Sequence, residues 1–303
     1  MARLTSQLPA TAEMRWIPSG TFAMGSEDFY PEERPARRVA VDGFWMDDHP
    51  VTAAEFRRFV RDTGYTTLAE RPLDSTDYPD ADPELLVPGS LVFRPTRGPV
   101  NLDDHRNWWE YVPGAYWKRP GGKGTTINGR DHHPVVHIAY EDAEAYASWA
   151  GKELPTESEW EYAARGGLDG AAFAWGDEHF PNGTPLANTW QGEFPWQNLK
   201  LDGFEGTSPV GSFPPNGYRL YDMTGNVWEW TADWFKGQHV ENPCCGPAQS
   251  EEPSPRRVIK GGSHLCAPNY CLRYRPAARQ GQAIDSSTTH LGFRCIVRDS
   301  SRE

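Results

Sequence analysis

Cys266 and Cys271 are the residues whose type and spacing first suggest chemistry. They lie in Gly261-Gly-Ser-His-Leu-Cys-Ala-Pro-Asn-Tyr-Cys-Leu-Arg-Tyr-Arg275, with a proline between them. The spacing matches neither a Cys-x-x-Cys redox motif nor a usual zinc pair. Two thiolates without harder ligands nearby select a soft cation, and Cu(I), content with two sulfurs, fits better than Zn(II), which takes four donors. The pair could equally be buried thiols or a disulfide, since cysteines often serve as small hydrophobes. Arg273, Arg275 and Arg279 would lower the thiol pKa values if they fold close to them, or act as ordinary salt-bridge donors.

Oxygen donors gather elsewhere. Asn188 and Asp202 flank a loop rich in Gly and Trp, while Asp222 and Glu229 flank Gly225-Asn-Val-Trp228. Loops of this kind hold Ca(II) through carboxylate, amide and carbonyl oxygens, although Asp and Asn in Gly-rich segments also cap turns. His132, His133 and His137 lack the His-Glu-x-x-His pattern of a zinc site. Cys244 and Cys245 are vicinal and poorly spaced for joint chelation, and Cys295 falls in an expected terminal strand.

Positioning these groups requires a fold, and the composition constrains it. The chain has 303 residues, only 38% of them hydrophobic, yet 13 Trp, 12 Tyr and 13 Phe supply burial that aliphatic residues would otherwise provide. With 27 Pro and 29 Gly, the sequence favours an irregular α+β fold of short strands and long loops over a helical bundle or a parallel sheet. The net charge of −12 argues against nucleic acid as partner and suits a cationic peptide. No run of about 18 apolar residues marks a membrane span, and the first residues lack the apolar core of a signal peptide, so a cytoplasmic location is expected.

The elements follow from local signals. Met14 to Gly25 reads as two short strands around Pro-Ser-Gly, and Val39 to Met46 as another. Thr52 with Glu55 forms a capping box for a helix that places Phe56, Phe59 and Val60 on one packing face and stops at Gly64. A second helix is expected at Tyr140 to Ala150, ending at Gly151. A third starts at Thr156, is boxed by Glu159, buries Trp160 and Ala164, and stops at Gly166. Arg71 to Asp131 reads as a long insertion anchored by Trp108, Trp109 and Trp117. Residues 1–10 read as a flexible arm and 11–303 as one domain.

The assembled motifs resemble the formylglycine-generating enzymes, or sulfatase-modifying factors, over nearly the whole chain. The resemblance runs through Pro18-Ser-Gly-Thr-Phe-Ala-Met-Gly25, Pro50-Val-Thr52, Leu154-Pro-Thr-Glu-Ser-Glu-Trp-Glu-Tyr162 and Trp175-Gly176. It continues in Asn188-Thr-Trp-Gln-Gly192, Asn216-Gly-Tyr218 and Asp222-Met-Thr-Gly-Asn-Val-Trp-Glu-Trp230, and closes at Gly261-Gly-Ser263 and Leu291-Gly-Phe-Arg-Cys295. Most of these belong to a wider superfamily, and the cysteine pair is the specific signal.

The resemblance implies a C-type-lectin-like fold with little regular secondary structure. It also implies copper- and O2-dependent oxidation of a cysteine to formylglycine, in a Cys-x-Pro-x-Arg segment of an unfolded sulfatase. By resemblance Cys266 and Cys271 would hold Cu(I), with Ser263 and Trp228 lining the oxygen and substrate pocket. Two structural Ca(II) sites are implied, one at the Asn188 and Asp202 side chains with the Thr189 and Phe204 carbonyls. The other would use the Asp222 and Glu229 side chains with the Gly225 and Val227 carbonyls. Pro276 stands where the vertebrate enzymes carry a cysteine, which points to the bacterial, cytosolic branch, expected to be monomeric. Two rivals remain open: a binding module of the same fold, and an iron-dependent sulfoxide synthase, which would need a histidine-based iron site.

Overall fold

Short hydrogen-bonded ladders joined by long loops carry the chain in a computed structural model that describes residues 14–73, 75–76, 86–238 and 255–298. The arm at 1–10, Cys244 and Cys245 lie outside the described residues. Eleven strands are described: β1 Met14–Ile17, β2 Gly20–Met24, β3 Arg37–Val41, β4 Phe44–Asp47, β5 Gly89–Phe93, β6 Trp109–Pro113, β7 Trp228–Trp234, β8 Arg256–Lys260, β9 Arg279–Ala283, β10 Leu291–Gly292 and β11 Ile296–Arg298. Three α-helices accompany them among the described residues: α1 Ala53–Thr63, α2 Tyr140–Ala150 and α3 Glu157–Arg165. The irregular α+β class expected from the sequence is the one observed.

Strand β4 pairs with both β1 and β11, so the two ends of the described chain close on one another in a single sheet. A second sheet runs in the order β10-β7-β8-β9, with β10 parallel to β7 and the other neighbours antiparallel. The β2-β3 and β5-β6 pairs stand apart as two-stranded ladders.

The helix signals translate directly. Thr52 Oγ1 accepts the Glu55 N–H at 3.3 Å, and Glu55 accepts the Thr52 N–H at 2.7 Å. Thr156 and Glu159 repeat the exchange at the start of α3. Ala139 has no side-chain acceptor to open α2, and Asp142 instead accepts the Ala139 N–H at 2.9 Å. Phe56, Phe59, Trp160 and Ala164 are buried as the helical period requires.

Two readings need correction. The single strand expected over Val39 to Met46 is divided, because β3 pairs with β2 while β4 pairs with β1. The break is at Gly43, where Trp16 packs so closely that an added Cβ would lie 2.5 Å from the indole. Cys295 lies just before β11 rather than in a strand. The long insertion carries structure of its own: β5 and β6 form a ladder, with Trp108 and Trp117 buried and Trp109 half-buried.

The largest core cluster joins α1 and α2 to the second sheet. Phe56 meets Trp117 edge-on at 5.3 Å, Tyr146 meets Phe293 at 5.2 Å, and Trp230 and Ile259 fill the same cluster. Such aromatic pairs add about 0.5–1.5 kcal/mol each beyond the area they bury. Cys266 and Cys271 sit in this cluster, so the core itself forms one wall of their surroundings.

Buried ion pairs fasten the loops. Arg275 grips both oxygens of Glu33 at 2.5 and 3.0 Å, and Arg279 grips both of Glu157 at 2.6 and 3.0 Å. Arg275 and Glu33 have fully buried side chains. Removing one partner strands the other charge in low dielectric. Glu33→Ala should therefore cost about 3–5 kcal/mol in chemical denaturation. Replacing both residues by Met should cost less than that single change.

Candidate active site

The segment from Gly261 to Arg275 leaves β8 through two glycines with positive φ. At Gly262 an added Cβ would lie 2.8 Å from the backbone of Arg273, so the two ends of the cysteine loop cross at a point that only glycine permits. Within the loop, the Cys266 N–H donates to the Ser263 carbonyl at 2.9 Å and the Cys271 N–H to the Ala267 carbonyl at 2.7 Å. These turns bring the sulfurs to 3.3 Å, and both are free thiols.

The pair lies at a cavity of about 410 Å³ whose lining includes Cys266, Cys271, Ser263 and Trp228. Structure thus brings together the four side chains singled out from the sequence for catalysis. Trp108, Trp109, Phe194 and Tyr270 add aromatic wall, while Arg273, Arg256 and His290 add polar groups. A second cavity of about 180 Å³, beside Met223 and Phe213, contains none of these residues.

The two thiols are not equivalent. A hydrogen bond from Cys266 lowers the Cys271 pKa to about 7, Arg273 adds to the shift, and burial opposes it. Burial pushes Cys266 well above the usual thiol range, and its contact with Cys271 pushes the same way. The pair thus shares one negative charge most readily, held on Cys271. Arg273 Nη1 approaches Cys271 Sγ at 3.7 Å while its Nη2 holds Glu32 at 2.6 Å. Of the three arginines weighed in the sequence, Arg273 faces the thiols, whereas Arg275 and Arg279 are engaged in ion pairs.

Ser263 meets the pair through its backbone, donating its N–H to Cys266 Sγ at 3.3 Å. Its hydroxyl contacts His290 Nδ1 at 3.0 Å. Trp228 is buried at the head of β7 and donates its N–H to the His290 carbonyl at 2.8 Å.

The oxygen donors form two separate groups. Thr189 O, Thr189 Oγ1 and Asp202 Oδ2 converge on Gln191 Nε2 at 2.5, 3.2 and 2.9 Å. Asn188 lies next to Thr189 and is buried, and the Phe204 N–H donates to Asp202 at 3.0 Å. In the second group Glu229 is held by Arg294 at 2.7 and 2.8 Å and by the Trp160 indole at 2.8 Å. Asp222 accepts the Gly211 N–H at 2.7 Å, and its carboxyl pKa is raised by burial first and by Glu229 as well. Gly225 and Val227 lie on the intervening turn. Among the described residues, no three His, Cys, Asp or Glu side chains converge as a metal-binding set.

Sequence reasoning missed Tyr30, Glu32 and His290. Tyr30 lies under the Arg273 guanidinium at 3.8 Å and accepts the Leu272 N–H at 2.9 Å. Nothing local marks Tyr30 or Glu32, because their partners lie some 240 residues away. His290 does adjoin the closing Leu291-Gly-Phe-Arg-Cys295 motif, a position that could have drawn attention to it.

The family model for the sulfatase-modifying factor enzyme 1-like domain matches residues 2–299. A formylglycine-generating enzyme of Mycobacterium tuberculosis is 55% identical over 288 residues, covering 93% of this chain and 96% of that protein. The chain belongs to the sulfatase-modifying factor, or formylglycine-generating enzyme, family. Membership in this family does not by itself confer activity. A mouse protein named inactive Cα-formylglycine-generating enzyme 2 is 41% identical over 285 residues, covering 92% of this chain and 83% of that one. Among solved structures, PvdO of Pseudomonas aeruginosa is similar at a TM-score of 0.65 and 25% identity, covering 96% of this chain and 97% of that one. No described helix is long and apolar enough to cross a membrane.

The unequal thiols give a direct measurement. Only the thiolate attacks an alkylating agent, so Cys271 should gain reactivity toward iodoacetamide as pH rises through about 7. Cys266 and Cys295 should stay protected to much higher pH, since burial pushes both thiols up. Arg273→Gln should move the Cys271 transition upward, as read by peptide mass mapping after alkylation at each pH.

Proposed function

We propose that this protein oxidises a cysteine to formylglycine in an unfolded sulfatase chain, at the Cys266 and Cys271 pair and with copper. The carrying observation is two free thiols with sulfurs 3.3 Å apart at a cavity. Soft donors of this kind suit Cu(I), and a third donor could come from the substrate cysteine itself. Oxidation balances when the substrate thiol, one dioxygen, two protons and two electrons from an external reductant give the aldehyde, one hydrogen sulfide and one water. Copper bound at the two sulfurs would supply the one-electron chemistry with dioxygen that breaking the substrate's β C–H bond demands.

The chain's own groups do the rest. Cys271 carries the readily formed thiolate, and Arg273 balances its charge. The aromatic wall of Trp108, Trp109, Phe194 and Tyr270 limits water at the sulfurs and offers flat apolar surface to an extended peptide. Trp228 and Ser263 border the same space. The acidic balance of the protein suits the arginine of a Cys-x-Pro-x-Arg segment. We assign the activity to a monomeric protein of the cytoplasm.

The oxygen groups fit structural Ca(II). Oxygens of Thr189 and Asp202 already converge on one amide nitrogen, where a cation would be equally surrounded. Asn188 and the Phe204 carbonyl would complete that site. At the other group, the Asp222 and Glu229 carboxylates face Arg294, and a cation held with the Gly225 and Val227 carbonyls would offset the excess negative charge. Glu229 would then divide its oxygens between the ion and Arg294.

Mass spectrometry of a Cys-x-Pro-x-Arg peptide, incubated with protein, Cu(I), oxygen and thiol, should show conversion to the aldehyde. Cys266→Ser and Cys271→Ser should each abolish conversion and stoichiometric Cu(I) binding. Cys244→Ser, Cys245→Ser and Cys295→Ala should retain conversion. Full activity in either of the first two variants would refute the copper assignment, and dispensable cysteines would favour a binding module. For calcium, chelation should lower the Tm, as binding to the folded state alone stabilises it by mass action. An unchanged Tm on chelation, with Asp202→Ala equally stable, would remove the calcium assignment.

A further inference from the structure

We propose that His290 is a positioning residue, acting through its contact with the Ser263 hydroxyl to fix what that hydroxyl presents to the cavity. The inference deepens the oxidase reading and rests on it, since Ser263 affects turnover only if the neighbouring sulfurs do chemistry.

Ser263 Oγ has two protein partners, the Leu265 N–H at 3.2 Å and His290 Nδ1 at 3.0 Å. A hydroxyl has one proton to donate and two lone pairs. Leu265 can only donate, so it occupies one lone pair. If Nδ1 accepts, the serine proton is committed to His290 and one lone pair remains for the cavity. If Nδ1 carries the proton, both lone pairs are taken and the serine O–H remains free to donate. The imidazole tautomer therefore decides whether Ser263 offers an acceptor or a donor beside Cys266, whose sulfur the Ser263 N–H already touches at 3.3 Å.

The ring is held well enough to impose that choice. Trp109 packs edge-on against it at 4.9 Å, and the His290 carbonyl accepts the Trp228 N–H at 2.8 Å. Just before it, the Thr289 N–H donates to the Leu91 carbonyl at 3.2 Å, tying this stretch to β5. His290 keeps some surface on the cavity while protein packs the rest, which lowers its pKa to about 3, with His264 and His137 adding to the effect. The imidazole is thus neutral across ordinary working pH, with one nitrogen donating and the other accepting.

A double-mutant cycle on the full-length protein tests the assignment. The kcat and KM for peptide oxidation, Cu(I) stoichiometry and Tm would be measured for His290→Leu, Ser263→Ala, the double variant and His290→Asn. Each of the first two should lower kcat by about tenfold, with KM and Cu(I) stoichiometry little changed. The double variant should be no worse than the poorer single variant, because His290 has nothing left to position. His290→Asn, whose amide can both donate and accept, should recover most of kcat. Multiplicative losses in the double variant, or wild-type kcat in His290→Leu, would overturn the proposal. A readout without turnover separates this failure from failure of the oxidase reading. Ser263→Ala should shift the 15N resonance of His290 Nδ1 even if the wild-type protein forms no aldehyde. An unmoved resonance would likewise overturn it.

Discussion

The geometry of the cysteine loop depends on ion pairs formed between distant parts of the chain. Glu32 and Glu33, in a single helical turn near the first strands, meet Arg273 and Arg275 beside the cysteines. Just before this turn, Phe29 stacks on Arg275 and Tyr30 on Arg273, at 3.6 and 3.8 Å, and within it the Glu32 carbonyl accepts from Arg279 at 3.1 Å. Apolar contact could bury this loop, but it would not fix direction. A bidentate guanidinium does, because its planar fork meets a carboxylate in one orientation. Two sulfurs held 3.3 Å apart without a disulfide need that directional control.

Electrostatic consequences follow from the same contacts. Arg273 touches Cys271 with one nitrogen and Glu32 with another, so the carboxylate that orients the guanidinium also shares its charge. The thiolate still benefits, since charge interactions are strengthened where water is excluded. Arg273 lowers the Cys266 pKa too, but there burial outweighs it and keeps the thiol protonated. An asymmetric pair results from asymmetric surroundings, with one sulfur ready to ionise and its neighbour ready to donate a proton to it.

Much of this was legible in the sequence where the cause is local. Thr52 with Glu55 and Thr156 with Glu159 announced two helices to the residue, because a capping box needs only neighbours three positions apart. Cys266 and Cys271 were legible as a pair for the same reason, and family motifs placed Ser263 and Trp228 near them. What escaped is what depends on tertiary partners. The β5-β6 ladder was hidden in a stretch rich in turn residues. Gly43 gave no sign that Trp16 would pack against it and divide a strand in two. Nothing in the local sequence marked Glu32 or Glu33, and Glu33 is fully buried.

The irregularity of the fold bears on the site as well. Loops offer backbone groups at angles that strands and helices do not, at the cost of leaving them unpaired when buried. Here side chains answer that cost. Asn226 donates to the Ser208 carbonyl at 3.2 Å and accepts the Ser208 N–H at 3.0 Å, while Arg294 collects the carbonyls of Tyr221 and Asp222 at 2.8 and 3.2 Å. Arg294 also holds Glu229, the neighbour of Trp228 in β7, and so couples the loop network to the cavity wall. These loops are thereby fixed by polar groups with a defined direction. The aromatic core supplies burial, and these polar contacts select one arrangement of the loops from the many that such burial would allow.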